Sequence, residues 1–220
     1  PLGGIVTGPS SRLRGTTMKA AVYDEYGGPE VVRIDEVPRP TPGENEILIA
    51  VHATTVASGD WRMRSADVPA GFKLITPLVF GRRPKRRILG TELAGVVADV
   101  GSGVGRWKVG DAVFAFPGGR QGAHAEFICM PEDGRIARKP ADLSFEEAAA
   151  LCFGGSTALS FIEKSGGIRP GDRVLVIGAS GSVGSAMVQL ARHSGAEVTG
   201  VCSTPNVALV ESLGADHVID

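Results

Sequence analysis

Cysteine is scarce. Three stand in 220 residues, Cys129, Cys152 and Cys202, with no Cys-x-x-Cys pair among them. So odd and sparse a set excludes a disulfide framework and fits a reducing compartment, so the expected location is cytoplasmic. Excess charge is missing too: 23 basic residues face 24 acidic ones, for a net charge of −1. That balance excludes a protein that grips nucleic acid or a membrane surface by bulk electrostatics. Long apolar runs are also absent. Ala148–Phe153 and Val174–Ile177 are among the longest, far short of the ~18 residues of a membrane span. No secretory signal and no internal repeat is visible.

Glycine, by contrast, is abundant: 31 residues, about twice the usual ~7% share. The glycines follow no collagen period and alternate with apolar runs, so they read as turns and close approaches of a folded chain. Residues 1–17 are rich in Gly, Pro, Ser and Thr and read as a disordered tail, outside the fold. With Arg12 and Arg14 and no acid, an organelle-targeting remnant is the minor alternative.

From Met18 to Pro140 the texture is short strands broken by Gly, Pro and Asp. Met18–Tyr23, Val31–Val37, Glu46–Val56, Leu93–Val100, Asp111–Phe116 and Ala125–Met130 are the expected strands of a β-rich, barrel-like domain. At Ser144 the period changes. Ser144 with Glu147 forms a capping box ahead of a helix-forming run. Gly154-Gly155 is expected to interrupt that helix, with a second one through Thr157–Lys164. Then strands and helices alternate: Asp172–Gly178, Val183–Ser194, Glu197–Ser203, Val207–Leu213 and His217–Ile219. This β-α-β-α-β order is the unit of a doubly wound parallel sheet. The expected domains are therefore 18–140 and 141–220.

The first strand runs into Gly178-Ala179-Ser180-Gly181-Ser182-Val183-Gly184 and then a helix. A glycine-rich turn between a buried strand and a helix is what a dinucleotide pyrophosphate needs. Gly181 admits the backbone approach, Gly184 admits the helix, and free N–H groups face the anion. Ala179 replaces the first glycine of the G-x-G-x-x-G form, and residues 179–184 are the candidate phosphate cradle. NAD sites place an acid at the end of the second strand, on the ribose hydroxyls. Here Cys202-Ser203-Thr204-Pro205-Asn206 carries none. Ser203, Thr204 and Asn206 are therefore candidates for a 2′-phosphate, and NADPH is the expected cofactor. The plainer alternative is that they cap the next helix.

Other motifs lie between the two halves: Gly90-Thr91-Glu92-Leu93-Ala94-Gly95-Val96-Val97, then Val109-Gly110-Asp111-Ala112-Val113. With the Ala179–Gly184 turn, these make the sequence from Met18 to Asp220 resemble the medium-chain dehydrogenase/reductase superfamily, in its zinc-independent, quinone-oxidoreductase-like branch. The resemblance implies a GroES-like substrate domain followed by part of a Rossmann domain. It implies no zinc, catalytic or structural. Ser58 stands at the position of the first ligand, Thr91-Glu92 replaces the His–Glu pair, and no four-cysteine cluster exists. His52, His124, His193 and His217 lack ligand spacing and read as surface or packing residues.

The same resemblance implies hydride transfer from a nicotinamide to a quinone or to the β-carbon of an enone, with the protein orienting the reactants and excluding water. Ser58, Asp60 and Trp61 become the substrate-pocket candidates, with Ala57 replacing the Asn of an Asn-x-x-Asp pattern. Thr157 matches a threonine that relatives place by the nicotinamide. Cys152 reads as packing. The partner implied is a small molecule, not nucleic acid or membrane, with a homodimer for the full-length form. The charge cluster Gly81–Arg87 reads as a solvated loop. The alternative function is a non-catalytic nucleotide-binding or scaffold protein. A complete dinucleotide fold has two βαβαβ halves. Asp220 lies in the third strand of the first, so the chain is expected to be C-terminally truncated by on the order of 100 residues. As it stands it is expected to expose apolar sheet surface and bind cofactor weakly.

Overall fold

The computed structural model describes residues 15–67, 81 and 83–220. The tail expected over residues 1–17 lies mostly outside them, as does Arg82 of the basic cluster. The chain forms two compact units, Pro1–Ala149 and Ala150–Asp220.

The first unit is antiparallel throughout. β1 (Thr17–Val22) pairs with β2 (Arg33–Pro38). A five-stranded sheet contains β3 (Glu46–Thr54), β4 (Leu93–Val100), β5 (Ala112–Ala115), β6 (Phe127–Pro131) and β7 (Ile136–Arg138), in the order β6-β3-β4-β5-β7. The bridges Ala20↔Ala125 and Val22↔Ile88 tie β1 to residues flanking that sheet. Strand β3 explains its own sequence. Ile47, Leu48 and Ile49 are all buried, because Ile47 and Ile49 enter the main core while Leu48 packs on the other face with Met18 and Phe127. A strand buried on both faces reads as a continuous apolar run, not an alternation.

The sequence reading gave no place to two elements of this unit. α1 (Ser58–Ser65) is a helix with the sequence Ser-Gly-Asp-Trp-Arg-Met-Arg-Ser, which shows no apolar stripe of helical period. β7 is only three residues long. The second expected strand also begins later than Val31, because Pro29–Val31 forms a 3-10 turn.

The capping box forms as read: Ser144 N donates to Glu147 Oε2 (2.7 Å) and Glu147 N to Ser144 Oγ (3.1 Å). The expected break at Gly154-Gly155 does not occur. α2 is one helix, Phe145–Lys164. A Cβ on Gly154 would lie 2.5 Å from the carbonyl oxygen and the hydroxyl of Ser182, so that glycine marks a helix packed against the start of the next one.

The second unit is the parallel sheet expected, in the order β10-β9-β8: β8 (Arg173–Ile177), β9 (Glu197–Val201) and β10 (His217–Ile219). α3 (Ser182–His193) and the short α4 (Val207–Ser212) connect the strands. Val176, Ala179, Val188, Ala191, Val198 and Val210 form its core. The fold is α/β: a GroES-like antiparallel domain, then the opening β-α-β-α-β of a Rossmann sheet.

Candidate functional site

Two places in the chain are candidates for a functional site, one in each unit. The first is a cavity of about 570 Å³ in the antiparallel unit. Val32, Ile34, Val51, Val56, Trp61 and Leu89 supply its apolar wall, and Tyr23, Asp60 and His124 also line it.

Asp60 is the organising residue, 2% exposed. It sits in the first turn of α1, and its Oδ2 accepts from the N–H of Ala57, the residue that opens the helix (2.8 Å). Its Oδ1 accepts from Gly90 N (3.0 Å). A carboxylate that takes two backbone N–H groups is a charge-assisted staple between α1 and the turn ahead of β4. Gly90 has φ +97°, and a Cβ there would stand 2.6 Å from both His124 N and His124 Cδ2. One glycine thus holds Asp60 and makes room for His124. His124 Nε2 donates to the Thr55 carbonyl (2.9 Å) and lies 4.0 Å from Asp60 Oδ2. A carbonyl oxygen only accepts, so this bond requires a proton on Nε2. Beside it, Thr54 Oγ1 donates to the Glu92 carbonyl (2.7 Å), and Thr55 Oγ1 donates to the carboxylate of the buried Glu92.

Of the pocket candidates read from the sequence, Asp60 and Trp61 line the cavity. Trp61 is 45% exposed. Ser58 is an exposed residue of the first turn of α1 and is not among the lining residues. The sequence reading missed Tyr23, His124 and Arg64. Arg64 donates from Nε to Gly27 O (3.3 Å) while its own carbonyl accepts from Gly27 N (3.1 Å), which anchors α1 to the loop after β1. Tyr23 is 2% exposed, and burial, then Tyr26, then Asp60 raise its phenol above the ordinary value. Its separation from Asp60, 37 positions along the chain, hides the pairing from any local motif. Among the described residues no group of three or more His, Cys, Asp and Glu could hold a metal.

The second place is the strand–turn–helix of the Rossmann unit. Ala179 is fully buried, and its N–H, like that of Gly178, donates to Val201 O. Its side chain and N–H both point inward, so it serves as packing beneath the turn. Gly184 allows the close approach, since a Cβ there would lie 2.1 Å from Gly178 O. Gly181 is different. A Cβ on it would meet only Gly178 O, at an ordinary 3.4 Å, so no neighbouring protein atom requires glycine there. The first turn of α3, Ser182-Val183-Gly184, has no preceding carbonyls for its N–H groups; Ser185 N is the first to bond back, to Gly181 O. Open space over Gly181 and N–H groups at a helix start fit a bound pyrophosphate. Thr157 is half-buried in α2, one turn beyond Gly154.

At the end of β9, Ser203 opens the 3-10 turn Thr204–Asn206, and Asn206 Nδ2 donates to Ser203 Oγ (3.3 Å). Thr204 Oγ1 donates to Asp220 Oδ2 (2.6 Å). The β9 end has no acid of its own, but the neighbouring strand delivers one.

Residues 43–141 match the alcohol dehydrogenase GroES-like domain family. The chloroplast envelope quinone oxidoreductase homolog of Arabidopsis thaliana is 37% identical over 94% of this chain and 62% of its own length. The mitochondrial NAD(P)H oxidoreductase RTN4IP1 of Bos taurus is 36% identical over 94% of this chain and 54% of its own. The Coxiella burnetii quinone oxidoreductase structure superposes with a TM-score of 0.80 at 31% identity, covering 93% of this chain and 62% of that one. The Escherichia coli quinone oxidoreductase, solved with NADPH, gives 0.77 at 31% identity, covering 92% and 61%.

The chain belongs to the quinone-oxidoreductase-like branch of the medium-chain dehydrogenase/reductase superfamily.

It spans between 54% and 62% of the length of these two curated relatives. Among the described residues no helix is long and apolar enough to cross a membrane. The names of these two relatives place one in the chloroplast envelope and the other in mitochondria. In this chain the GroES-like unit carries the cavity and the Rossmann unit carries the glycine turn.

Proposed function

We propose that this chain carries the acceptor cavity and the pyrophosphate cradle of a zinc-free, NADPH-dependent reductase of quinones or activated alkenes. The carrying observation is the cavity: a largely apolar space of about the volume of a small organic molecule, with Tyr23, Asp60 and His124 among its polar lining residues. A 2-methylene-furan-3-one reductase of Solanum lycopersicum, 36% identical over 92% of this chain and 52% of its own length, supports the activated-alkene side of the reading. The nucleotide, held by the N–H groups of Ser180, Ser182, Val183 and Gly184, would supply hydride. The residues of the cavity orient the acceptor and keep water from it. Ser58 is assigned a place at its rim and Thr157 a place beside the nucleotide.

The adenosine end decides between the two nucleotides. Ser203, Thr204 and Asn206 offer donors to a 2′-phosphate, while Asp220, bonded to Thr204, opposes it by charge. Asp220→Asn is expected to tighten NADPH about 2- to 5-fold and leave NADH unchanged, as removal of one partly screened charge would do. Fluorescence titration of both nucleotides reads this. The reaction is tested by following NADPH oxidation with a quinone and enone panel. NADPH-dependent turnover supports it. Nucleotide binding with no turnover on any acceptor would instead support the scaffold reading.

A further inference from the structure

The polar end of the barrel cavity contains an imbalance. Asp60 is acceptor-only, and both of its oxygens already take backbone N–H groups. His124 spends its Nε2 proton on Thr55 O, and Thr54 spends its hydroxyl proton on Glu92 O. Tyr23 differs from all three. Its backbone N–H donates to Arg87 O (3.0 Å), but its hydroxyl has no hydrogen-bond partner among the described residues. The ring is 98% buried, as its 2% exposure requires, and it lines the cavity. A hydroxyl that opens onto a cavity and has no protein acceptor among the described residues has its proton free for whatever occupies that cavity.

We propose that the Tyr23 hydroxyl is the hydrogen-bond donor that receives the carbonyl oxygen of the acceptor, so that this cavity takes apolar carbonyl compounds oxygen-first, toward Asp60 and His124. The inference deepens the reductase reading and rests on the cavity being the acceptor site. Three features support it. Most of the cavity wall is apolar, and Tyr23 is the nearly fully buried hydroxyl among its lining residues, so it is a well-desolvated donor for a ligand's polar atom. The buried phenol stays protonated across the physiological range, so it is a donor there and not an anion. Asp60, close enough to act on Tyr23 electrostatically, disfavours a ligand carboxylate at that end and favours a neutral carbonyl. A donor fixed at a carbonyl oxygen also gains strength as that oxygen gains negative charge during reduction, which separates it from a purely structural ring.

The test uses the full chain without nucleotide and a matched pair of ligands: carvone, a cyclic enone, and limonene, the hydrocarbon without the oxygen. Binding is read from the fluorescence of Trp61, with Trp61→Phe as the blank. Tyr23→Phe is expected to weaken carvone about 5- to 10-fold and to leave limonene within about twofold, the loss of one neutral hydrogen bond. Equal weakening of both ligands, or no change for carvone, overturns the proposal. The infrared carbonyl stretch of bound carvone gives a readout that needs no variant. In the wild-type chain it should lie below its position in hydrocarbon solvent, and an unshifted stretch overturns the proposal even if Tyr23→Phe fails to fold. The two readings fail separately. A shifted stretch with no NADPH-dependent reduction of any acceptor sinks the reductase and keeps the donor. Turnover with an unshifted stretch and an unchanged kcat/KM in Tyr23→Phe does the reverse.

Discussion

At the residue scale, Gly90 carries more than its size indicates. Its N–H holds Asp60, its φ of +97° is one that side chains rarely adopt, and its missing Cβ leaves room for the His124 backbone. Gly90→Ala is expected to destabilise the chain by about 2–3 kcal/mol, from strain plus overpacking. Thermal unfolding should show a midpoint lower by about 5–10 °C. A shift under 1 °C would mean that the turn relaxes freely and does not position Asp60.

A second residue sets a pH response far from the cavity. Hydrogen bonds from Arg87 and then Arg33 hold the Asp24 carboxyl down to about 2, from an ordinary 3.8. A depressed folded-state pKa adds stability that is fully present above the unfolded value and lost as pH falls through the folded one. The thermal midpoint should therefore gain a component that disappears between about pH 4 and pH 2. Arg87→Gln should move the Asp24 carboxyl titration, followed by NMR, up toward the ordinary value. A titration that stays put would show that the Arg87 contact does not form in solution.

Motifs whose members lie close along the chain were readable at this scale, and contacts between distant positions were not. The Ser144–Glu147 box has a fixed spacing that only a helix start explains, and it formed bond for bond. Tyr23 and His124 meet Asp60 across strand pairings that no local pattern encodes. Asp220 reaches Thr204 because β10 lies beside β9, and the acid-free stretch at 202–206 could not reveal it.

At the element scale, the two glycines of α2 separate propensity from packing. The sequence reading took the pair as a break, since glycine weakens a helix interior by about 0.5–1 kcal/mol. The helix runs on through both. Gly155 has nothing within 4 Å of a built Cβ, whereas Gly154 has Ser182 at 2.5 Å. Gly155→Ala is accordingly expected to stabilise the chain by about 0.5–1 kcal/mol. Gly154→Ala gains the same propensity but pushes against the first residue of α3. It should lose about 1–3 kcal/mol net and weaken nucleotide binding, because the N–H groups of that turn move. Chemical denaturation and nucleotide titration of the two variants side by side would check this. Equal effects would remove the packing role of Gly154. The helix α1 escaped notice for the opposite reason. Its stability comes from Asp60 and Arg64 reaching other segments, not from an apolar stripe.

At the scale of the whole molecule, the order of the two domains was legible because strand spacing and the β-α-β-α-β alternation are global periodicities. The exposure of the second sheet follows from its register. Pairing sets Leu175 opposite Thr199, Ile177 opposite Val201, and Val201 opposite Ile219. By the two-residue period of a strand, Leu175, Ile177, Val201 and Ile219 share one face, while Val174, Val176 and Val198 turn to the core on the other. Leu175 is 59%, Ile177 79% and Ile219 52% exposed. Parallel sheets are ordinarily covered on both faces, and among the described residues β8 is an edge strand that pairs with β9 alone. An apolar face joined to an open edge is a site for dye binding and self-association. The 220-residue chain is expected to enhance 8-anilinonaphthalene-1-sulfonate fluorescence while its far-ultraviolet dichroism is fully native, and to elute larger as its concentration rises. The double variant Leu175→Lys, Ile177→Lys should lose most of both signals, because charge on that face repels a second copy and admits water, while the core residues on the opposite face are untouched. If the wild-type chain binds no dye and stays monomeric at high concentration, this face is covered in solution and its exposure must be abandoned.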